Sequence, residues 1–158
     1  MGLPDLLAGV TLRAMTPERL DAVRTALLRD MTIDIVTLGA RSGEWRTTEI
    51  WYVIVDGRIY ICGTPAAGEH EREYAPRDWM ANLKAHPEFT FVLKESTHAE
   101  LPARASVVTD PDERGRVFTA DTTGWYRRQT GSVDALVEHG PMVRIDLLGE
   151  AAEIDLGA

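Results

Sequence analysis

The dipeptide Asp56-Gly57 lies between two runs of β-branched and aromatic residues, and it restricts the fold more than any other feature of the sequence. The runs cover residues 46–55 and 58–63. Asp-Gly suits a two-residue type I′ β-turn, because both turn positions need a positive φ. The sequence therefore predicts a β-hairpin, and with it an antiparallel sheet.

The other predicted elements extend this hairpin into an α+β domain. Residues 32–38 form a strand that leads through a turn at 39–45 into the hairpin, giving a three-stranded antiparallel meander. Further strands are predicted at 89–93, 101–108 and 142–148, and helices at 17–30, 76–84, from 110 onward and at 132–138. Because the helices are inserted between antiparallel strands, a doubly wound α/β fold is excluded.

We expect one mainly β domain over residues 1–158, an antiparallel split β-barrel with inserted and flanking helices. Residues 1–30 form an N-terminal helical segment. Residues 64–76 combine proline, glycine and a run of charges, so they are interpreted as a loop insertion that acts as a lid. The cluster at 125–128, two aromatic residues followed by two arginines, is interpreted as a helix end or a cofactor rim.

Composition and charge exclude several classes of function. A net charge of −8 argues against binding to nucleic acids or to anionic membranes. No run approaches the ~18 apolar residues of a membrane span. The single cysteine, Cys62, cannot form an internal disulfide, so a cytoplasmic location is expected. The four histidines lack the spacing of metal ligands, so no metal site is predicted.

The turn after the first strand is a candidate anion site. It contains Arg41, Ser42, Gly43 and Arg46, which supply two guanidinium groups, a hydroxyl and a flexible backbone around one bend. Successive backbone N–H groups in such a bend can bind an anion, and arginine adds bidentate charge. The alternative is a surface turn with solvated arginines.

Two further groups of residues could form a pocket for a flat ring. Alternation along the next strand places Thr47, Glu49 and Trp51 on one face; alternatively Trp51 is a core residue and Glu49 pairs with an arginine. Trp79 and Asn82 lie on one side of a short helix, where they could stack and hydrogen-bond. The alternative for Trp79 is that it anchors the helix to the barrel.

Three blocks of the sequence resemble the deazaflavin-dependent nitroreductase family, a branch of the flavin/deazaflavin oxidoreductase superfamily. They are Gly39-x-Arg41-Ser42-Gly43-x-x-Arg46-Thr47-Thr48, Asp56-Gly57-Arg58-Ile59-Tyr60 and Asp78-Trp79-x-x-Asn82-Leu83-Lys84-Ala85-x-Pro87. The resemblance covers roughly residues 32–93, and it leaves the N-terminal helix and the chain after about 108 outside. It implies an FMN-binding type of split barrel.

The resemblance also implies a set of cofactor contacts. Those on the phosphate or tail side are Arg41, Ser42, Gly43 and Arg46, and the strand positions facing the ring are Thr47, Glu49 and Trp51. Cys62, Gly63, Thr64 and Pro65 fall where the family brings backbone groups to the ring, and Trp79 and Asn82 flank it. The implied cofactor is the deazaflavin coenzyme F-420, with FMN as the alternative.

Some positions depart from the family pattern. Ala40 stands where the family often has a basic residue, Glu44 and Trp45 where it often has lysine and proline, and Glu49 where it has proline. Glu44 and Glu49 would repel a polyglutamylated tail. A cofactor with fewer anionic groups, FMN or a short-tailed deazaflavin, therefore stays open.

The function implied is hydride transfer from reduced deazaflavin to a small nitro, quinone or enone substrate. Tyr74 is a candidate proton donor. The alternatives are an FMN-dependent reductase or oxidase similar to the pyridoxamine phosphate oxidases, and a carrier that binds a flavin or haem without turnover. A homodimer is left open, because nothing in the sequence reports on oligomeric state.

Overall fold

A computed structural model describes residues 14–65 and 78–157, and seven strands within them form one antiparallel sheet. The strands are β1 Thr32–Leu38, β2 Trp45–Trp51, β3 Val53–Val55, β4 Arg58–Cys62, β5 Glu88–Leu93, β6 Ala99–Val107 and β7 Met142–Leu147. Their order in the sheet is β2-β1-β5-β6-β7-β4-β3. The α+β split barrel expected from the sequence is confirmed.

The sheet curls because two strands that are adjacent in the chain lie at its opposite ends. Only Tyr52 separates β2 from β3, yet these strands are the first and the last in the sheet order. A flat sheet of seven strands would hold them six strand spacings apart, roughly 28 Å. The sheet must therefore bend round until its two edges meet at Tyr52.

The predicted continuous strand at 46–55 and the predicted meander are consequently wrong. β2 pairs with β1 and β3 pairs with β4, so the chain forms two hairpins at opposite edges of the sheet. The Asp-Gly hairpin itself is confirmed, with φ of 53° at Asp56 and 75° at Gly57. The side-chain alternation passes through Tyr52 without a break, so nothing in the pattern marks the change of partner.

Tyr52 is anchored at this junction by its backbone, its hydroxyl and its ring. The backbone N–H donates to the Met31 carbonyl at 3.1 Å. The hydroxyl donates to the carbonyl of Leu27 at 2.7 Å, and the ring packs edge-to-face on Phe91 with 5.4 Å between centroids. Tyr52 is only 4% exposed, and its N–H and its hydroxyl both keep a hydrogen-bond partner where the strand partner changes.

Five α-helices and two 3-10 turns accompany the sheet in the described part of the chain. They are α1 Pro17–Arg29, α2 Asp78–Ala85, α3 Pro111–Thr119, α4 Gly124–Arg128 and α5 Val133–His139, with 3-10 turns at Asp121–Thr123 and Gly149–Glu153. The side chains of Thr16, Asp110 and Ser132 cap α1, α3 and α5, as their residue types favour. α4 and both 3-10 turns were not predicted as elements, because they are too short to show a period.

The predicted loop insertion at 64–76 lies mostly outside the described residues. Thr64 and Pro65 are described and have no regular secondary structure. None of the helices within the described ranges is long and apolar enough to span a membrane.

Two hydrophobic cores lie on opposite faces of the sheet. The inner core contains Ile33, Ile35, Phe91 and Leu101 from the strands, and α1 and α2 pack against it. The outer core covers β4 and β7 and is formed with α3, α4 and α5; its members are Val55, Tyr60, Cys62, Val108, Val117, Phe118, Tyr126, Leu136 and Met142. The site described below lies where these two layers meet.

A buried carboxylate links the helical layer to the sheet. Glu113 of α3 is 8% exposed; it accepts from the Tyr60 hydroxyl at 2.7 Å and from Arg144 at 3.0 Å. Burial alone would raise the pKa of Glu113, but the bonds from Tyr60 and Arg144 outweigh it and hold this pKa below its usual range. Burial, together with the bond to Glu113, raises the pKa of Tyr60 to about 12.

Replacing Glu113→Gln tests this link. Because the carboxyl pKa is lower in the folded state, its stabilisation is present at pH 7 and is lost as the pH falls below ~4. We expect E113Q to reduce the free energy of unfolding by about 2 kcal/mol at pH 7, and by clearly less at pH 3. Urea denaturation at both pH values measures this. Glu138→Gln, at an exposed carboxylate, is the control; an equal loss at both pH values would contradict the prediction.

Candidate active site

The turn between β1 and β2 is closed by its own hydrogen bonds. Gly39 N–H donates to the Glu44 carbonyl at 2.8 Å, and Gly43 N–H donates to the Gly39 carbonyl at 3.1 Å. The Ser42 hydroxyl accepts from Glu44 N–H at 3.1 Å, and Gly43 has φ of 67°, which favours glycine. A Cβ at Gly39 would overlap Ser42 Oγ, so a side chain there would displace the Ser42 hydroxyl from its bond with Glu44 N–H.

Two successive donors remain at the tip of the turn. Within residues 14–65 and 78–157, the backbone N–H groups of Arg41 and Ser42 have no acceptor. Within the same ranges, the guanidinium groups of Arg41 and Arg46 have no carboxylate partner within 4.0 Å. Adjacent free N–H groups beside unpaired arginines are suited to bind an anion.

Asn82 of α2 forms hydrogen bonds with both the turn and β1. It is 6% exposed; its Oδ1 accepts from Ala40 N–H at 2.9 Å, and its Nδ2 donates to the hydroxyl of buried Thr37 at 3.4 Å. The amide thus ties α2 and β1 to the turn. A cavity of about 320 Å³ opens beside it, called here the turn cavity, lined by Gly39, Ala40, Arg41, Ser42, Arg46, Ala81 and Asn82.

A second cavity, called here the aromatic cavity, lies along the same strand and helix. Its volume is about 310 Å³, and it is lined by Thr48, Glu49, Ile50, Trp51, Cys62, Gly63, Thr64, Trp79, Trp125 and Tyr126. Trp51 and Trp125 pack edge-to-face with 5.4 Å between ring centroids, and Trp125 packs in the same way on Tyr126 at 5.2 Å. Both tryptophans are 41% exposed and so border the opening of the cavity.

Two groups that line the aromatic cavity, the Cys62 thiol and the Tyr126 hydroxyl, stay protonated and uncharged near neutral pH. Burial raises the pKa of the Cys62 thiol to about 12, and it also raises the pKa of the Tyr126 hydroxyl above its ordinary value. A nucleophilic cysteine needs a thiolate, so Cys62 is a packing residue of the cavity wall.

Glu49 lines the aromatic cavity, but its carboxylate is already paired. Lys94 forms ion pairs with Glu49 and, at 2.7 Å, with Asp34 on the neighbouring strand. Hydrogen bonds to Asp34 and Glu49 raise the pKa of Lys94. The alternative that Glu49 pairs with an arginine is therefore wrong in its partner: the partner is Lys94, which directly follows β5.

Of the other predicted site residues, one lines a cavity, two line neither cavity, and one lies outside the described residues. Trp79 is 6% exposed, so it both anchors α2 in the inner core and contributes to the cavity wall. Thr47 is exposed and lines neither cavity, and neither does Pro65. Tyr74 lies outside the described residues. Among the described residues, no cluster of three potential metal ligands occurs.

Four important residues were missed or only partly anticipated from the sequence. The cluster at 125–128 was interpreted as a helix end or a rim; Trp125 and Tyr126 lie in α4 and line the aromatic cavity. Lys94 was not singled out, because its contact with Glu49 depends on the order of strands β2, β1 and β5. Arg114, which is described further below, carried no signal beyond its place in a helix.

The described residues place two cavities of different chemistry side by side. Within residues 14–65 and 78–157, free donors and unpaired arginines line one cavity, while aromatic and buried neutral groups line the next, on the shared elements β2 and α2. This is the chemistry that the phosphate and the ring of a flavin-like molecule require. Such a pair of cavities on a split barrel is suited to a cofactor-dependent oxidoreductase.

The chain belongs to the F420H(2)-dependent quinone reductase family, whose model matches residues 15–138. It is therefore an oxidoreductase of a deazaflavin-dependent family. The match extends well beyond residues 32–93, to which the resemblance seen in the sequence was limited, and it includes α1, α3 and α4. None of the curated proteins compared with the chain matches its sequence.

Solved structures agree on the fold at low sequence identity. The conserved hypothetical protein Rv2991 from Mycobacterium tuberculosis is 20% identical with a TM-score of 0.55, over 83% of this chain and 79% of that one. A Clostridium acetobutylicum protein of the pyridoxinephosphate oxidase family is 9% identical, TM-score 0.59, over 87% and 92%. A FAD-binding protein from Mesorhizobium loti is 15% identical, TM-score 0.51, over 86% and 92%.

Asn82→Leu tests how the turn is held. The change leaves Ala40 N–H without its acceptor, so we expect a loss of about 2 kcal/mol in the free energy of unfolding and faster hydrogen exchange at the Ala40 amide. Thr37→Val is the matched control: it removes the longer bond of the same amide but leaves the acceptor of Ala40 N–H in place, so exchange at Ala40 should be unchanged. Urea denaturation and amide exchange measure both. Unchanged exchange at Ala40 in N82L would contradict this role of Asn82.

Proposed function

We propose that the protein is a reductase that holds deazaflavin coenzyme F-420 across the two cavities and uses it to reduce a quinone. The observation that carries this proposal is the position of an anion-binding turn and an aromatic cavity side by side on β2 and α2. When bound in its reduced form, the coenzyme supplies a hydride. The protein orients the ring, excludes water and selects the acceptor.

On the phosphate side, Arg41 and Arg46 provide positive charge. The backbone N–H groups of Arg41 and Ser42 would donate hydrogen bonds that orient the phosphate. Hydrogen bonds from charged donors are about twice as strong as those between neutral groups. The sequence raised one objection, because Glu44 and Glu49 would repel an anionic tail. Lys94 reduces the repulsion from Glu49 by pairing with it, but Lys94 also pairs with Asp34, so these three groups together keep a net negative charge. Glu44 remains exposed on the turn.

On the ring side, the proposal assigns the contacts to Ile50, Trp79 and the stretch Cys62–Thr64. Cys62 and Tyr126 are held neutral by burial, so they add no charge that varies near pH 7. A wall of this kind favours a planar, largely uncharged ring system. The predicted proton donor, Tyr74, stays a prediction, and solvent at the open side of the cavity is the other source of the proton.

The substrate is expected to stack against the exposed tryptophan pair. Trp51 and Trp125 come from different layers of the fold and meet at the opening of the aromatic cavity. Aromatic faces attract flat, electron-poor molecules, which describes a quinone and also a nitroaromatic or an enone. The family to which the chain belongs supports the quinone first.

FMN is the second candidate cofactor. A turn cavity of about 320 Å³ with two arginines suits a single phosphate as well as a longer tail. Two of the similar structures are a pyridoxinephosphate oxidase family member and a FAD-binding protein. At such low sequence identity these two structures show a shared fold and nothing about the cofactor of this chain. FMN therefore ranks behind the deazaflavin coenzyme, which the family match supports.

Titration of tryptophan fluorescence separates the two cofactors. Trp51, Trp79 and Trp125 line the aromatic cavity, so their fluorescence reports on binding there. We expect saturation with the deazaflavin coenzyme at lower concentration than with FMN. Arg41→Met and Arg46→Met should each weaken binding about tenfold. Arg29→Met, at an exposed arginine at the end of α1, is the control and should change little. Saturation by FMN alone would overturn the deazaflavin proposal.

Trp125→Ala tests the proposed acceptor subsite. Loss of the exposed ring should raise KM for menadione about tenfold and change kcat less, because stacking contributes to binding in the ground state. Trp45→Ala is the matched control, since Trp45 is 67% exposed and lines neither cavity. Equal effects of the two changes would contradict the subsite. No acceleration by the unmodified protein, compared with free reduced coenzyme, would point to a carrier.

A further inference from the structure

Arg114 is a buried cation in α3 without an acidic partner in residues 14–65 and 78–157. It is 9% exposed, and no carboxylate of those residues lies within 4.0 Å of it. Taking a guanidinium out of water is costly unless its donors are satisfied. Burial accordingly lowers the pKa of Arg114, although an arginine remains charged at physiological pH.

Three backbone carbonyls take the place of an acidic partner. Nε donates to Val137 at 2.6 Å, Nη1 to Val108 at 3.0 Å and Nη2 to Gly140 at 2.5 Å, while the Phe118 ring lies 5.8 Å from the guanidinium carbon. Carbonyls at the C-terminal end of a helix lack helical partners and favour a cation. Arg114 thus fixes the end of α5 to the end of β6.

The segment held in this way packs directly against the aromatic cavity. The carbonyl of Pro141, next to Gly140, accepts from Gly63 N–H at 3.0 Å. A Cβ at Gly140 would lie 2.9 Å from Phe118 Cζ and 3.1 Å from the Gly63 carbonyl, so the two segments touch without space for a side chain. Gly63 and its neighbours Cys62 and Thr64 line the cavity.

We propose that Arg114 is a positioning residue of the cofactor site: by holding residues 137–141, it fixes the backbone edge formed by Cys62, Gly63 and Thr64 against which the cofactor ring rests. The proposal rests on the proposed function for the identity of the ring. Arg114 does not itself line the aromatic cavity, so its effect passes through Gly140 and Pro141. A guanidinium is required because a lysine cannot direct three divergent hydrogen bonds from one plane.

Arg114→Lys tests the proposal with the charge kept. We expect the Gly63 amide to exchange about tenfold faster than in the unmodified protein, because the segment that carries its acceptor is loosened. We also expect the dissociation constant of the deazaflavin coenzyme to rise about tenfold at a temperature where the variant is fully folded. Arg114→Gln, which keeps an amide donor but loses the charge, is the second variant if R114K does not fold.

Arg127→Lys is the matched control. Arg127 also sits in the helical layer and donates to two carbonyls, those of Phe118 at 2.7 Å and Ala120 at 2.8 Å, but to none in residues 137–141. It should change the melting temperature and leave the Gly63 exchange within about twofold.

The outcomes separate the two proposals. Unchanged Gly63 exchange in R114K, or faster exchange with unchanged affinity, would overturn the role of Arg114. If the unmodified protein bound neither deazaflavin nor FMN, the proposed function would fall. The Gly63 exchange measurement would still support or refute the link from Arg114 to the cavity edge.

Discussion

The change of strand partner at Tyr52 is the constraint on which the rest of the molecule depends. It sends one continuous extended segment into two hairpins at opposite edges of the sheet, and the sheet can contain both only by curling. Closure then brings the end of β2 beside the end of β4. Trp51 and Cys62 therefore line one cavity, although no ladder pairs their strands. The anchors of Tyr52 on Leu27 and Phe91 belong to the inner core, so core packing and site geometry depend on the same residue.

Much of the fold follows from local pattern, and the parts that do not are those that depend on distant contacts. The Asp56-Gly57 turn and the capped helices α1, α3 and α5 were predictable, because turn chemistry and capping act over a few residues. The break at Tyr52 was not, since alternation continues across it. The turn residues of the site were found by their types, whereas the pairing of Glu49 with Lys94 needed the strand order. Asn82 was recognised by its spacing, but its hydrogen bond to Ala40 could not be inferred from one sequence.

Buried polar groups in this protein serve to join layers. Glu113 joins α3 to the sheet, Asn82 joins α2 to the turn, and Arg114 joins α3 to the end of α5. Each is satisfied by specific partners, and among the described side chains no buried nitrogen or oxygen lacks a hydrogen bond. Apolar packing is weakly directional, so such bonds are what set the relative position of layers that the hydrophobic effect only presses together. The shape of a cavity between two layers therefore depends on these bonds.

The single residue between β2 and β3 has a consequence for how the chain can vary in length. Side chains alternate with a period of two, so one residue inserted beside Tyr52 would exchange the inward and outward faces of a whole strand. Ile50 would leave the core, or Tyr52 would lose its anchors. The turn at residues 56–57 also closes a hairpin, but it lines neither the turn cavity nor the aromatic cavity, so a change of its length would leave both cavities in place. Length variation among proteins with this architecture should therefore collect at the tip of the β3–β4 hairpin and avoid the junction.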